Sequence, residues 1–303
     1  MRLKNLDLNL LIALDALLIE QSITRASQRL HISQPGMSAA LARLREFFGD
    51  ELLVQTGRRM VLTPRGESLI KPVHDILLQI QALIDSPAGF DPATSRRKFV
   101  FVMSDYTASV LTPRLLQEAQ SVAPHLMFEF IALTDNPEEV LDRGDVDFLL
   151  MPERFLSDTH PRCAVFEDDY VCVGWSDNPI MQRDLKIEQY MEAGHVVVRF
   201  GTQRMPSIDE WLTSHRGLER RIEVIASSFS AVPQYIVGTT RIATMHRRLA
   251  NLWSSQVRLK VVPAPMDIPS LRWGLQWHSC RNYDLGTLWM RDFVLSTAQL
   301  LDR

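Results

Sequence analysis

The chain is 303 residues long, about twice the size of a typical domain, so two or three domains are expected. It is 46% hydrophobic and 23% charged, the composition of a globular protein with ample core, and no apolar run is long enough to span a bilayer. A net charge of −3 does not announce a nucleic-acid binder, and three cysteines (Cys163, Cys172, Cys280) without a C-x-x-C pair argue against a disulfide framework or zinc site.

Met1 is followed by mixed charged and apolar residues, not by a signal-peptide pattern, so a cytoplasmic protein without membrane, metal or cofactor is expected. Charge is unevenly spread. The first 66 residues carry nine Arg and Lys against six Asp and Glu, a mildly basic module on an acidic remainder.

Asp7 precedes the apolar run Leu8–Leu18 as an N-cap would, and Leu10, Leu11, Leu14, Leu17 and Leu18 fall on one helical face. Ser22 caps a predicted short helix through Leu30, with small Ala26 where two helices cross. After a turn at His31 and Ile32, Ser33 caps a second helix with Gln34 and Pro35 in its first turn. Met37, Leu41 and Leu44 face inward. This is the pattern of a helix-turn-helix, whose second helix enters the major groove with its N-terminal end toward the bases. Glutamine pairs bidentately with adenine, and serine bonds several base edges. An ordinary helical hairpin with a solvated polar face fits the same periodicity. The following segment reads as a hairpin, Leu52–Gln55 and Arg59–Leu62 about Gly57, with Arg58 and Arg59 at the tip as in a DNA-tracking wing.

The run "LDLNLLIALDALLIEQSITRASQRLHISQPGMSAALARLREFFGDELLVQTGRRMVLTPRGE" resembles the LysR-type transcriptional regulators. "LDLNLL" and "SQPGMSAALARLR" are most similar to the subgroup of the nodulation regulator NodD and the salicylate-type (NahR-like) regulators. Gly36, Leu53 and Gln55 depart from the residues usual there. The resemblance implies a DNA-binding set of Ser22, Thr24, Ser33, Gln34, Pro35, Gly36 and Ser38, with Arg43, Arg45, Arg58 and Arg59 on phosphates.

From Thr63-Pro64, Leu69, Val73, Ile76, Ile80 and Leu83 alternate steps of four and three beside Ile70, Leu77 and Ile84. This is a coiled-coil seam of about three heptads, with Pro72 inside it. In the resemblance it is the linker helix that pairs two subunits on a two-fold operator. The expected division is residues 1–63 for the winged helix-turn-helix, 64–90 for the linker helix and hinge, and 91–303 for an effector domain.

From Lys98 the order strand, helix, strand, helix, strand argues for a parallel sheet with crossover helices, and the pattern then restarts. The expected fold is therefore α/β: a winged helix-turn-helix, a long linker helix, then two lobes. The resemblance makes those lobes periplasmic-binding-protein-like, lobe I about 91–166 and 268–303 and lobe II about 167–267, with crossings near Phe166 and Asp267. At strand ends, where open α/β sheets bind ligands, stand Ser104, Asp105, Tyr106, Thr107, Phe200, Gly201, Thr202, Ser228, Phe229, Ser230 and Gln276, and the resemblance implies that these segments line the effector pocket. Phe200 and Phe229 are alternatively core, and Asp105 alternatively a cap.

The resemblance implies a dimer or tetramer on an inverted repeat. It also implies a small aromatic effector (a phenolic, an aromatic acid or a flavonoid) that changes DNA bending and RNA polymerase contact. An enzyme is not expected: no G-x-S-x-G elbow, P-loop, Rossmann fingerprint or H-E-x-x-H occurs. Two alternatives remain: a redox sensor using Cys163 and Cys172, disfavoured by the acids Glu167, Asp168 and Asp169 between them, and a regulator acting without effector. A stand-alone solute-binding protein would lack residues 1–90.

Overall fold

The structure, a computed structural model, describes residues 7–57, 59–85, 89–200 and 207–301. It divides into two compact units, Met1–Pro87 and Ala88–Arg303.

In the first unit, α1 (Leu8–Glu20) starts where the Asp7 carboxylate accepts the Asn9 N–H, and it buries its leucine face. In α2 (Ile23–Arg29) the Ser22 hydroxyl accepts the Arg25 N–H, and Ala26 is fully buried. His31 takes a left-handed φ of 55° and turns the chain into α3 (Gln34–Phe48). The Ser33 hydroxyl accepts the Gly36 N–H, and Met37, Leu41 and Leu44 are the buried stripe. β1 (Leu53–Thr56) and β2 (Arg59–Leu62) pair antiparallel about Gly57, whose φ of 64° suits glycine.

The long helix α4 (Pro64–Asp85) continues past Pro72. Its apolar residues do not act as one seam. Val73 is buried in the core of α1–α3, with Leu69 and Leu77 packed on it, and His74 Nδ1 meets the Asp15 carboxylate at 2.8 Å. Ile70, Ile76 and Ile84 stay 37%, 45% and 72% exposed. Part of the heptad pattern is thus satisfied inside its own chain, where α4 packs on α1.

In the second unit the chain runs β3 (Lys98–Met103), α5 (Asp105–Val122), β4 (Met127–Ala132), α6 (Pro137–Asp142), β5 (Phe148–Pro152) and β6 (Arg162–Asp168) in lobe I. Lobe II holds β7 (Tyr170–Trp175), α7 (Ile187–Glu192), β8 (His195–Val198), α8 (Ser207–Arg216), β9 (Ile222–Ala226), α9 (Val232–Ile236), β10 (Ile242–His246), α10 (Arg247–Ser254) and β11 (Leu259–Pro263). The chain returns to lobe I with β12 (Leu271–Trp277) and α11 (Leu285–Ala298).

The sheet orders are β4-β3-β5-β12-β6 and β11-β7-β10-β8-β9. The expected parallel pairing holds for β4-β3-β5 and β9-β8-β10, while β12, β6, β7 and β11 join antiparallel. The first crossing falls at Asp169, just beyond Phe166, and the second between β11 and β12. Among the described residues no helix is long and apolar enough to cross a membrane.

Candidate DNA-reading surface and effector cavity

The start of α3 is a polar edge over an apolar floor. Gln34, Pro35, Gly36 and Ser38 are exposed, and Met37 between them is fully buried. Capping by Ser33 fixes where the helix begins, and so fixes which side chains stand at its tip. A Cβ on Gly36 would sit 3.1 Å from the Ser33 hydroxyl oxygen, which would have to give by a few tenths of an ångström. Arg43 is exposed with a long 3.9 Å contact to Asp7, and exposed Arg59 stands at the start of β2.

In the second unit a cavity of about 90 Å³ opens between the two sheets. That is space for several waters, each taking about 10–15 Å³ on this measure. Its wall includes Ser104 after β3, Arg199 and Phe200 after β8, Phe229 after β9, Tyr170 on β7, His246 on β10 and Trp273 on β12. Phe200 and Phe229 lie with ring centroids 5.7 Å apart, and His246 lies 4.7 Å from both Tyr170 and Trp273. Burial pushes the His246 imidazole down to about 3, so it is neutral near pH 7. Burial likewise pushes the Tyr170 phenol up to about 12. The Arg220 guanidinium meets both Asp209 oxygens at 2.7 Å and donates to Tyr190 and Thr244.

A family model of the bacterial regulatory helix-turn-helix proteins of the lysR family matches residues 8–67, and one of the LysR substrate binding domain matches residues 93–299. The chain belongs to the LysR family. It is 45% identical over 298 residues to nodulation protein D 1 of Bradyrhizobium sp. (strain NC92), covering 98% of this chain and 95% of that relative. It is 46% identical over 301 residues to nodulation protein D 2 of Rhizobium tropici, covering 99% and 96%. The crystal structure of a probable transcriptional regulator from Pseudomonas aeruginosa superposes with a TM-score of 0.67 at 31% identity, covering 97% and 98%. This LysR-type protein is thus a transcriptional regulator with a DNA-binding and an effector-binding domain, and not an enzyme.

Within this LysR-type regulator the expected site residues separate into three groups. Gln34, Pro35, Gly36, Ser38, Thr24, Arg43 and Arg59 are exposed in the DNA-binding unit, and Ser104, Phe200 and Phe229 line the cavity. Arg58, Gly201 and Thr202 lie outside the described residues.

The rest are occupied elsewhere. Arg45 Nε donates to the Glu51 carbonyl at 2.9 Å and Nη2 to the Leu53 carbonyl at 2.6 Å, tying α3 to the wing. The Ser22 and Ser33 hydroxyl oxygens serve as caps. Tyr106 is fully buried behind Trp273 and His246, and its hydroxyl donates to Asp168 at 2.7 Å. Burial and the adjacent Asp168 charge push this phenol far up. Thr107 is buried beneath Ser104. Asp105 accepts from the Ser230 N–H at 2.8 Å and its hydroxyl at 2.9 Å, and the Ser228 hydroxyl lies 3.3 Å from the Ser230 hydroxyl oxygen. These three residues join lobe I to lobe II instead of lining the cavity. Gln276 is fully buried with its amide donating to the Ser157 and His160 carbonyls, at the far end of β12.

Sequence reasoning missed Tyr170, Arg199, His246 and Trp273. The strand-end rule points to the carboxyl ends of parallel strands. β7 and β12 run antiparallel to their neighbours, so their starting ends reach the cleft, with Tyr170 opposite His246 and Trp273 opposite Pro152. Arg199 and His246 do stand at carboxyl ends and were within reach of that rule.

The cysteines are poorly placed for redox sensing. Burial pushes the Cys163 thiol up and the Cys172 thiol up to about 12, and they sit in different sheets. Burial leads here, not the acids between them. Asp142, His160 and His278 converge in lobe I. The His160 Nδ1 accepts the Ser279 N–H, so Nε2 carries the proton that bonds Asp142 at 2.7 Å, an arrangement a metal would have to break.

Proposed function

We propose that this LysR-family regulator reads an inverted-repeat operator as a dimer or tetramer, pairing subunits through the exposed isoleucine face of α4. Gln34, Gly36 and Ser38 face bases from the tip of α3, while Arg43, Arg58 and Arg59 hold phosphates. The carrying observation is that polar tip, fixed by the Ser33 cap and backed by buried Met37. A small aromatic effector occupies the cavity among Phe200, Phe229, His246 and Trp273, shifts the subunits, and so changes DNA bending and contact with RNA polymerase. It does this only by binding the two arrangements with different affinity. The near full-length likeness to nodulation proteins D supports this reading.

The test is a binding titration of Gln34→Ala against the footprinted operator and single-base variants of it. A lost bidentate contact relaxes discrimination at one base pair by about 1–3 kcal/mol. Unchanged discrimination removes Gln34 from the reading set.

A further inference from the structure

The cavity wall is rich in hydrogen-bond donors and poor in negative charge. Trp273 is 2% exposed, and its indole N–H, a donor only, is buried without a partner. The Arg199 Nε–H is buried without a partner as well, and no carboxylate among the described residues pairs with this guanidinium. A buried donor left unpaired costs free energy until an acceptor meets it.

Among the described residues the wall contains no Asp or Glu. Its other cation, Arg220, is balanced by Asp209 in a two-point ion pair. His246, neutral near pH 7, adds no charge. Among the described residues of the wall, charge therefore sums to one uncompensated cation, Arg199. Arg199 is half-buried, with its Nε–H the buried part, and guanidinium is the cation best shaped to take an oxyanion by two parallel bonds. Beside it Phe200, Phe229 and Tyr170 present ring faces and edges suited to an aromatic body.

We infer that the effector is an aromatic mono-anion, a carboxylate or a hydroxyl acidic enough to ionise at neutral pH, with Arg199 as its counter-ion and the Trp273 indole N–H as a second donor. This rests on the reading of the cavity as the effector site.

Ligand-observed NMR on the full chain tests it with matched probes: benzoate against benzamide, phenylacetate against phenylacetamide, and 4-nitrophenolate against 4-nitroanisole. Wild type, R199K, R199Q and F229A are compared after each variant's thermal transition is checked. The acids are expected to bind about tenfold tighter than their neutral mates, a preference kept by R199K and erased by R199Q. The carboxylate and phenolate pairs show which kind of oxyanion is taken. Equal binding of the mates, binding of neither, or acid binding indifferent to R199Q overturns the inference. If neutral mates bind and F229A abolishes them, the charge claim falls and the cavity reading stands. If acids bind but ignore both R199Q and F229A, they sit elsewhere and both fall.

Discussion

Ser33 and Gln34 are neighbours with separable tasks. The Ser33 hydroxyl caps α3, so Ser33→Ala is expected to cost about 1 kcal/mol of stability. It lowers both the thermal transition and operator affinity, while Gln34→Ala changes discrimination at an unchanged transition. Arg59→Ala is expected to weaken binding evenly across sequences and to reduce the slope of log K against log salt by about 1, measured by titration at several salt concentrations. Tyr106 gives a contrasting case. Tyr106→Phe leaves the Asp168 carboxylate short of one buried donor and costs about 1–3 kcal/mol in denaturant unfolding, with effector affinity retained. Loss of effector affinity at full stability would return Tyr106 to the binding set.

At the scale of elements, α4 packs into the core of its own unit and leaves isoleucines exposed. Val73 is 4% exposed within the first unit's core, and Val73→Ala is expected to cost about 1–3 kcal/mol there. Ile76 is 45% exposed, so Ile76→Glu should leave the unfolding transition in place and shift the sedimentation of the full chain toward monomer. An unchanged sedimentation profile would move the pairing surface off this face. The same helix begins against the wing: a Cβ on Gly66 would lie 2.4 Å from the Leu52 carbonyl oxygen. Backbone cannot swing aside as a side chain can, so the helix start and the wing are held at glycine distance.

For the molecule as a whole, two buried histidines set the acid limit. Burial, joined for His195 by the Arg220 charge, pushes His195 down to about 4, and burial alone pushes His246 down to about 3. Each lies below its unfolded value of about 6.5. Above that pH both states are neutral and the full stability is present. As pH falls below it, the unfolded chain takes protons that the folded chain refuses. Each histidine then removes about 1.4 kcal/mol per pH unit until its folded value is reached. Urea unfolding between pH 6.5 and 5.5 should show this slope, and His246→Phe should flatten it by about one proton; an equal slope in the variant would mean His246 titrates normally.

What was legible in the sequence was local. Caps at Asp7, Ser22 and Ser33, the leucine face of α1 and the Gly57 turn depend on residues within a few positions of each other, so the helices and the hairpin could be read from spacing, while the family resemblance made them a helix-turn-helix and wing. Strand identity was legible for the same reason. The tertiary structure alone decided which way those strands run and what meets across them. Antiparallel β7 and β12 carried Tyr170 and Trp273 to the cavity, Asp105 found Ser230 in the other lobe, and Leu69, Val73 and Leu77 of the heptad pattern turned inward. Periodicity marks that a face is apolar; only packing determines what covers it.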